Sequence, residues 1–195
     1  MLDNDDILID GGNSFYKDSV ELGNKCKEKK IRFIGMGVSG GETGARHGPA
    51  LMLGTDDTIP KNLLSMIKSI SAKSSYGDCV GVYKGYGTGH FIKMLHNGIE
   101  YAEMQILAES YSILKSSNLS NLEISNFFKS LKEKNQSSYL IEISSEIIKK
   151  KADNEYLIDN ISPVANNKGT GKLTVETSLE YNFPLPSIYE AFNAR

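Results

Sequence analysis

The sequence predicts an α/β layer followed by an all-helical part, and three observations carry that reading. Up to about residue 86, short apolar runs alternate with helix-length stretches, the pattern of strands crossed by helices. After Gly85-Tyr-Gly-Thr-Gly89 the strand-like runs stop and amphipathic helical periodicity takes over. The first helical string, from Gly89 to Gln105, carries two ordered stripes of side chains, one apolar and one polar.

Ile7-Leu-Ile9 reads as a buried strand emptying into the turn Asp10-Gly-Gly-Asn-Ser14. Residues 16–30 read as a helix whose terminal lysines suit the negative end of its dipole. Strands follow at 31–34, 50–53 and 80–83, with a helix over 60–71 that has proline in its first turn. This alternation predicts substantially parallel strands. The helical part reads as 90–116, 120–134, 138–151 and 172–181, with a short piece near 186–194. Asn118 and Ser120 supply a break and a cap, and 152–171 reads as an irregular connection. The domain boundary falls near residue 86, giving parts 1–86 and 87–195.

Composition excludes several classes. The 195 residues are 39% hydrophobic and 24% charged, ordinary for a soluble globular protein, and the net charge of −2 speaks against broad binding to nucleic acid or anionic membrane. No apolar run approaches the ~20 residues of a membrane span, and the acidic start Met1-Leu-Asp-Asn-Asp-Asp6 is unlike a signal peptide. A cytoplasmic location is expected. Cys26 and Cys79, far apart, suggest packing residues, and His47, His90 and His96 make no metal-ligand pattern.

On the string from Gly89, Phe91, Met94, Leu95, Ala102 and Ile106 are expected to form the buried face. Lys93, His96, Asn97 and Glu100 recur at i, i+3, i+4 and i+7 and so share another stripe. Lys93 and Glu100 start roughly 10 Å apart along the axis, a span that suits a bound molecule of a few carbons. A base, an acid and two hydrogen-bonding groups in line fit proton transfer on a small polar substrate. By spacing alone, a solvated polar face is the default alternative.

Gly35-Met-Gly-Val-Ser-Gly40 has the G-x-G-x-x-G spacing of a dinucleotide loop, which requires a helix opening straight after it. The following Gly41-Glu-Thr-Gly-Ala-Arg-His-Gly-Pro49 reads as too glycine-rich for that helix, so the match is rejected. Ser39, Gly40 and Gly41 instead suit an anion-binding loop, with a tight turn as the plain alternative. Gly169-Thr-Gly-Lys172 lacks the first glycine of a P-loop but sits at a helix start, where backbone donors favour phosphate.

The string GHFIKMLHNGIEYAEMQ resembles the substrate-site helix of the 6-phosphogluconate dehydrogenase family, and blocks 7–16, 34–54, 85–107 and 167–195 extend the resemblance. It implies the late part of a Rossmann-like coenzyme domain, then the start of an all-helical substrate and dimerisation domain. It also implies that the chain lacks the family's N-terminal nucleotide loop and C-terminal region, and is inactive alone. The implied reaction is oxidative decarboxylation of 6-phosphogluconate, with NADP as oxidant, to ribulose 5-phosphate. Lys93, neutral when substrate binds, would act as base and Glu100 as acid. Ser39, Gly40, Gly41, His96 and Asn97 would hold the substrate, and Tyr101, Lys168, Thr170 and Arg195 its phosphate. Asn13 would lie between nicotinamide and substrate, and the intact enzyme would be a homodimer without a catalytic metal.

The sequence departs from the family pattern at Thr43, Leu53, Thr55, Ser162-Pro-Val164 and Leu173. Two other readings remain open: a β-hydroxyacid dehydrogenase of similar fold, and a non-catalytic piece that binds substrate or a partner subunit.

Overall fold

The computed structural model describes every residue except Met1, Asn135, Ser137, Asn167 and Lys168. Contacts divide the chain into two compact units, Met1–His96 and Asn97–Arg195.

The first unit is built on four strands: β1 (Ile7–Asp10), β2 (Arg32–Ser39), β3 (Ala50–Thr55) and β6 (Val80–Lys84). They lie in the order β1-β2-β3-β6. Helix α1 (Tyr16–Glu28) crosses from β1 to β2, which pair in parallel. It ends two residues short of expectation because Lys30 adopts a left-handed φ of 58° and turns the chain toward β2. Alternation along β2 sends Ile34 and Phe33 to opposite faces. Ile34 packs with Leu51, Leu53 and Ile67, the last from α3 (Lys61–Ile70). Phe33 packs with Cys26 of α1 and with Tyr86, and burial pushes the Cys26 thiol up. Phe33 and Leu53 are wholly buried, each worth about 1.5–3 kcal/mol of apolar transfer.

Two of the three strand pairings are parallel, as the alternation predicts; the exception is β3, which runs antiparallel to β2 and so makes the sheet mixed. The connection between β2 and β3 is too short for a crossover, which forces the reversal. That connection also holds a helix, α2 (Gly41–His47), in the stretch read as too glycine-rich to form one. Gly40 and Gly41 supply the positive-φ entry (143° and 58°), and Gly48, at φ 120°, ends it. The reason given against a dinucleotide loop therefore fails. The antiparallel strand after α2 still means that no parallel βαβ unit follows the motif. A two-stranded hairpin, β4 (Lys73–Ser74) with β5 (Gly77–Asp78), precedes β6.

Helix α4 (Thr88–Ser116) runs unbroken for 29 residues, and its part from Asn97 onward belongs to the second unit. There it meets α5 (Asn121–Glu133) and α6 (Tyr139–Lys149), packed around Ile124, Phe128 and Ile148 with Leu107, Tyr111 and Leu114 of α4. Asn118, at φ 63°, breaks α4 from α5, and Ser120 opens α5 through a reciprocal capping box with Glu123. The expected irregular connection begins instead with a hairpin, β7 (Lys151–Ala152) and β8 (Glu155–Tyr156). Asp153 and Asn154 both take positive φ at its tip (49° and 70°), the geometry that two-residue hairpins favour. A 3₁₀ turn (Leu157–Asn160), α7 (Thr170–Glu180) and α8 (Pro186–Asn193) complete the unit. Among the described residues no helix is long and apolar enough to cross a membrane.

Candidate functional site

In the first unit the opening turns of α4 lie directly on the sheet. A Cβ at Gly37 of β2 would come 2.5 Å from the Gly89 carbonyl and 2.7 Å from Lys93 Cβ, so only glycine admits the helix this closely. Ser39 lies two residues further along β2 and therefore on the same face as Gly37. Lys93 Nζ donates to Ser39 Oγ at 2.9 Å, and the same oxygen is 3.3 Å from His96 Nε2. With Nε2 unprotonated, Ser39 accepts from the lysine and donates onward to the histidine. The serine hydroxyl thus joins a candidate base to a second titratable group, a short path along which a proton can move.

Gly40 and Gly41 follow Ser39 at the entry to α2. Nothing lies within 4 Å of where a Gly41 Cβ would stand, so this backbone is open to a ligand. Asn13 is exposed in the turn after β1. Asp10 closes that turn, accepting from the Gly12 N–H at 3.0 Å and the Ser14 hydroxyl at 2.7 Å. Burial raises the Asp10 carboxyl, but Ser14, Gly12 and the nearby His90 outweigh it and hold Asp10 below the ordinary aspartate value. His90 is 3% exposed, with Nδ1 2.7 Å from Ser19 Oγ.

In the second unit Asn97 and Glu100 are half-buried on α4, at the spacing from Lys93 that the sequence predicts. Tyr101 is buried, and the Arg195 guanidinium stacks on its ring at 4.0 Å from the centroid, a cation–π contact. Arg195 also reaches Met104 Sδ at 3.5 Å. The Tyr101 ring lies against Gly171, the residue after Thr170 at the start of α7. Arg195 and Gly171, the neighbour of Thr170, thus meet at the Tyr101 ring, while Lys168 lies outside the described residues.

One expectation about α4 fails. Ile106, assigned to the buried face, is 60% exposed. Twelve residues at roughly 100° each set it about 120° from Met94, too far around the helix to share its face. The most buried line is His90, Met94, Gly98 and Tyr101. Sequence reading missed Gly98, whose signal was glycine inside helical periodicity, and gave Gly171 no packing role within Gly169-Thr-Gly-Lys172.

An α/β unit with a glycine turn after its first strand and a lysine–serine–histidine cluster on its sheet, continued by a helical unit, is the layout of a coenzyme-binding domain joined to an all-helical one. Residues 1–83 match the NAD binding domain of 6-phosphogluconate dehydrogenase, and residues 89–195 match the 6-phosphogluconate dehydrogenase C-terminal domain. The chain belongs to the 6-phosphogluconate dehydrogenase family.

Decarboxylating 6-phosphogluconate dehydrogenases of Buchnera aphidicola (from Schizaphis graminum) and Staphylococcus epidermidis are 48% and 46% identical to it. Each match covers 100% of this chain and 42% of the relative. The Plasmodium falciparum enzyme, solved apo, with its cofactor NADP+ and with its substrate 6-phosphogluconate, superposes with a TM-score of 0.92 at 39% identity. That match covers 100% of this chain and 42% of the solved one. A 3-hydroxyisobutyrate dehydrogenase from Salmonella typhimurium shares the fold, with a TM-score of 0.69 at 15% identity over 96% of this chain and 61% of its own.

Proposed function

We propose that this chain carries base, acid and substrate contacts for oxidative decarboxylation of 6-phosphogluconate to ribulose 5-phosphate and carbon dioxide, with NADP as oxidant. The observation that carries this reading is the Lys93–Ser39–His96 cluster at 2.9 and 3.3 Å, on a helix that continues to Asn97 and Glu100. The chain spans about 42% of the length of these relatives, so the activity is proposed for these residues together with what the longer relatives add. We place the border between coenzyme and substrate parts near residue 86, and the working enzyme as a homodimer in the cytoplasm.

The turn Gly11–Ser14 at the carboxyl end of β1, parallel to β2, fits a nicotinamide: Gly11, Gly12 and Asn13 are all exposed there. When bound, that group supplies the hydride acceptor. The remaining steps fall to this chain's own residues. Neutral Lys93 takes the proton from the substrate C3 hydroxyl as that carbon is oxidised. The 3-keto acid loses its carboxylate as carbon dioxide, the bonding pair moving into the adjacent carbonyl. Protonated Lys93 stabilises the developing enolate oxygen. Glu100 protonates the resulting enediol at the substrate's C2, the carbon that becomes C1 of ribulose 5-phosphate, while Ser39, the Gly40–Gly41 backbone, His96 and Asn97 hold the hydroxyl and carboxylate oxygens in register. Tyr101, Lys168, Thr170 and Arg195 take the phosphate, where charge-assisted bonds are strongest.

NADPH formation tests this reading in a chimera that seats the 195 residues in the full-length Staphylococcus epidermidis relative in place of its matching segment. Turnover of 6-phosphogluconate, with gluconate a far poorer substrate, is expected. A chimera that folds and dimerises yet turns over neither compound, or 3-hydroxyisobutyrate better, would overturn it.

A further inference from the structure

We infer that Gly98 is a positioning residue: its bare Cα lets α7 seat on α4 through Thr174, and this contact fixes where the first turn of α7 meets a ligand's anionic end. The inference rests on the phosphate role proposed for Thr170, Tyr101 and Arg195.

Glycine is a poor choice for the interior of a 29-residue helix, so Gly98 needs a packing reason. A Cβ there would come 2.6 Å from Thr174 Cγ2, 2.8 Å from its Oγ1 and 3.0 Å from its Cβ. Thr174 cannot swing aside. It is 0% exposed, and its hydroxyl donates to the Thr170 carbonyl at 2.9 Å, tying the side chain to the helix's own first turn. Carbon atoms pack at about 3.5–4.0 Å, so an added methyl must push α7 back by roughly 1 Å. One turn along α4, the Tyr101 ring lies against Gly171, where a Cβ on α7 would strike the ring. The crossing is therefore sized at two points, glycine on α4 facing threonine on α7 and tyrosine on α4 facing glycine on α7. Thr170 opens α7 immediately before the Gly171 contact, and Arg195 stacks on the same Tyr101 ring. A displaced α7 separates Thr170 from Tyr101 and Arg195 while leaving each side chain chemically intact.

The test is a size swap in the same full-length chimera, comparing wild type, Gly98→Ala, Thr174→Ala and the double variant. Titration calorimetry gives affinities for 6-phosphogluconate and gluconate, and amide hydrogen exchange reports on residues 170–173 without ligand. Gly98→Ala is expected to weaken 6-phosphogluconate about ten- to a hundredfold, spare gluconate and speed exchange. The double variant should return to the level of Thr174→Ala alone, since removing the threonine branches restores the room. Wild-type affinity and exchange in Gly98→Ala would overturn the inference, as would a loss that Thr174→Ala does not rescue or that falls equally on gluconate. If wild type does not distinguish the two ligands, the phosphate reading fails. The exchange rates then decide the contact itself: rescued acceleration supports it and unchanged rates overturn it.

Discussion

The hydroxyl of Ser39 is the smallest part on which the proposed chemistry depends. It accepts from Lys93 and reaches His96, so Ser39→Ala leaves both titratable groups in place but removes the link between them. We expect a fall in kcat of about 10²-fold, at the lower end of general acid–base contributions, together with a rise in KM from the lost substrate contact. Steady-state kinetics in the chimera check this, and an unchanged kcat would make Ser39 a binding contact only. Glu100→Gln keeps shape and removes the acid, so turnover should drop by about 10²–10⁴-fold. Solvent deuterium entering C1 of the product should slow in parallel, and normal deuteration would reassign the acid. At this scale the sequence showed the stripe on α4, because 3.6-residue periodicity is local. It did not show Lys93 bonded to Ser39, since that contact joins residues 54 apart and arises only when α4 lies down on the glycine floor of β2.

Among the elements, α5 shows how capping can be read and tested. The Ser120 hydroxyl and backbone N–H both donate to Glu123, holding its carboxyl below the ordinary glutamate value, chiefly through the hydroxyl. A carboxylate with a depressed value stabilises the fold above its unfolded value and loses that contribution as pH falls through the folded one. The first turn of α5 should therefore fray below the ordinary glutamate range, with faster amide exchange at 121–124. Glu123→Gln should remove that pH dependence. Further along the same helix Phe128 is 2% exposed, and Phe128→Ala should cost about 3–5 kcal/mol in urea unfolding. A loss below about 1 kcal/mol would mean that the α5–α6 core repacks. The cap was legible as Ser-x-x-Glu. Helix α2 was not, because Gly40, Gly41 and Gly48 act at its entry and exit, where positive φ is needed, rather than against the helix. The β7–β8 hairpin was signalled by Asp153-Asn154 but hidden in a polar stretch that resembled a plain connection.

For the whole molecule, the two-part organisation was legible because strand-length apolar runs give way to long amphipathic helices at a glycine-rich joint. The reversal of β3 was not, since apolar runs state burial and not polarity of pairing, and the antiparallel pairing emerges only from the short β2–β3 connection. Family membership rests on matches that take in nearly the whole chain, while these relatives extend to more than twice its length. The chemistry assigned to α4 is therefore best tested where the surrounding enzyme is complete. The most direct measurement is NADPH formation from 6-phosphogluconate by the chimera carrying Lys93→Met, which keeps the side chain's length and removes its nitrogen. The account predicts loss of oxidation and decarboxylation together, by at least about 10²–10⁴-fold. Turnover near that of the unsubstituted chimera would contradict it.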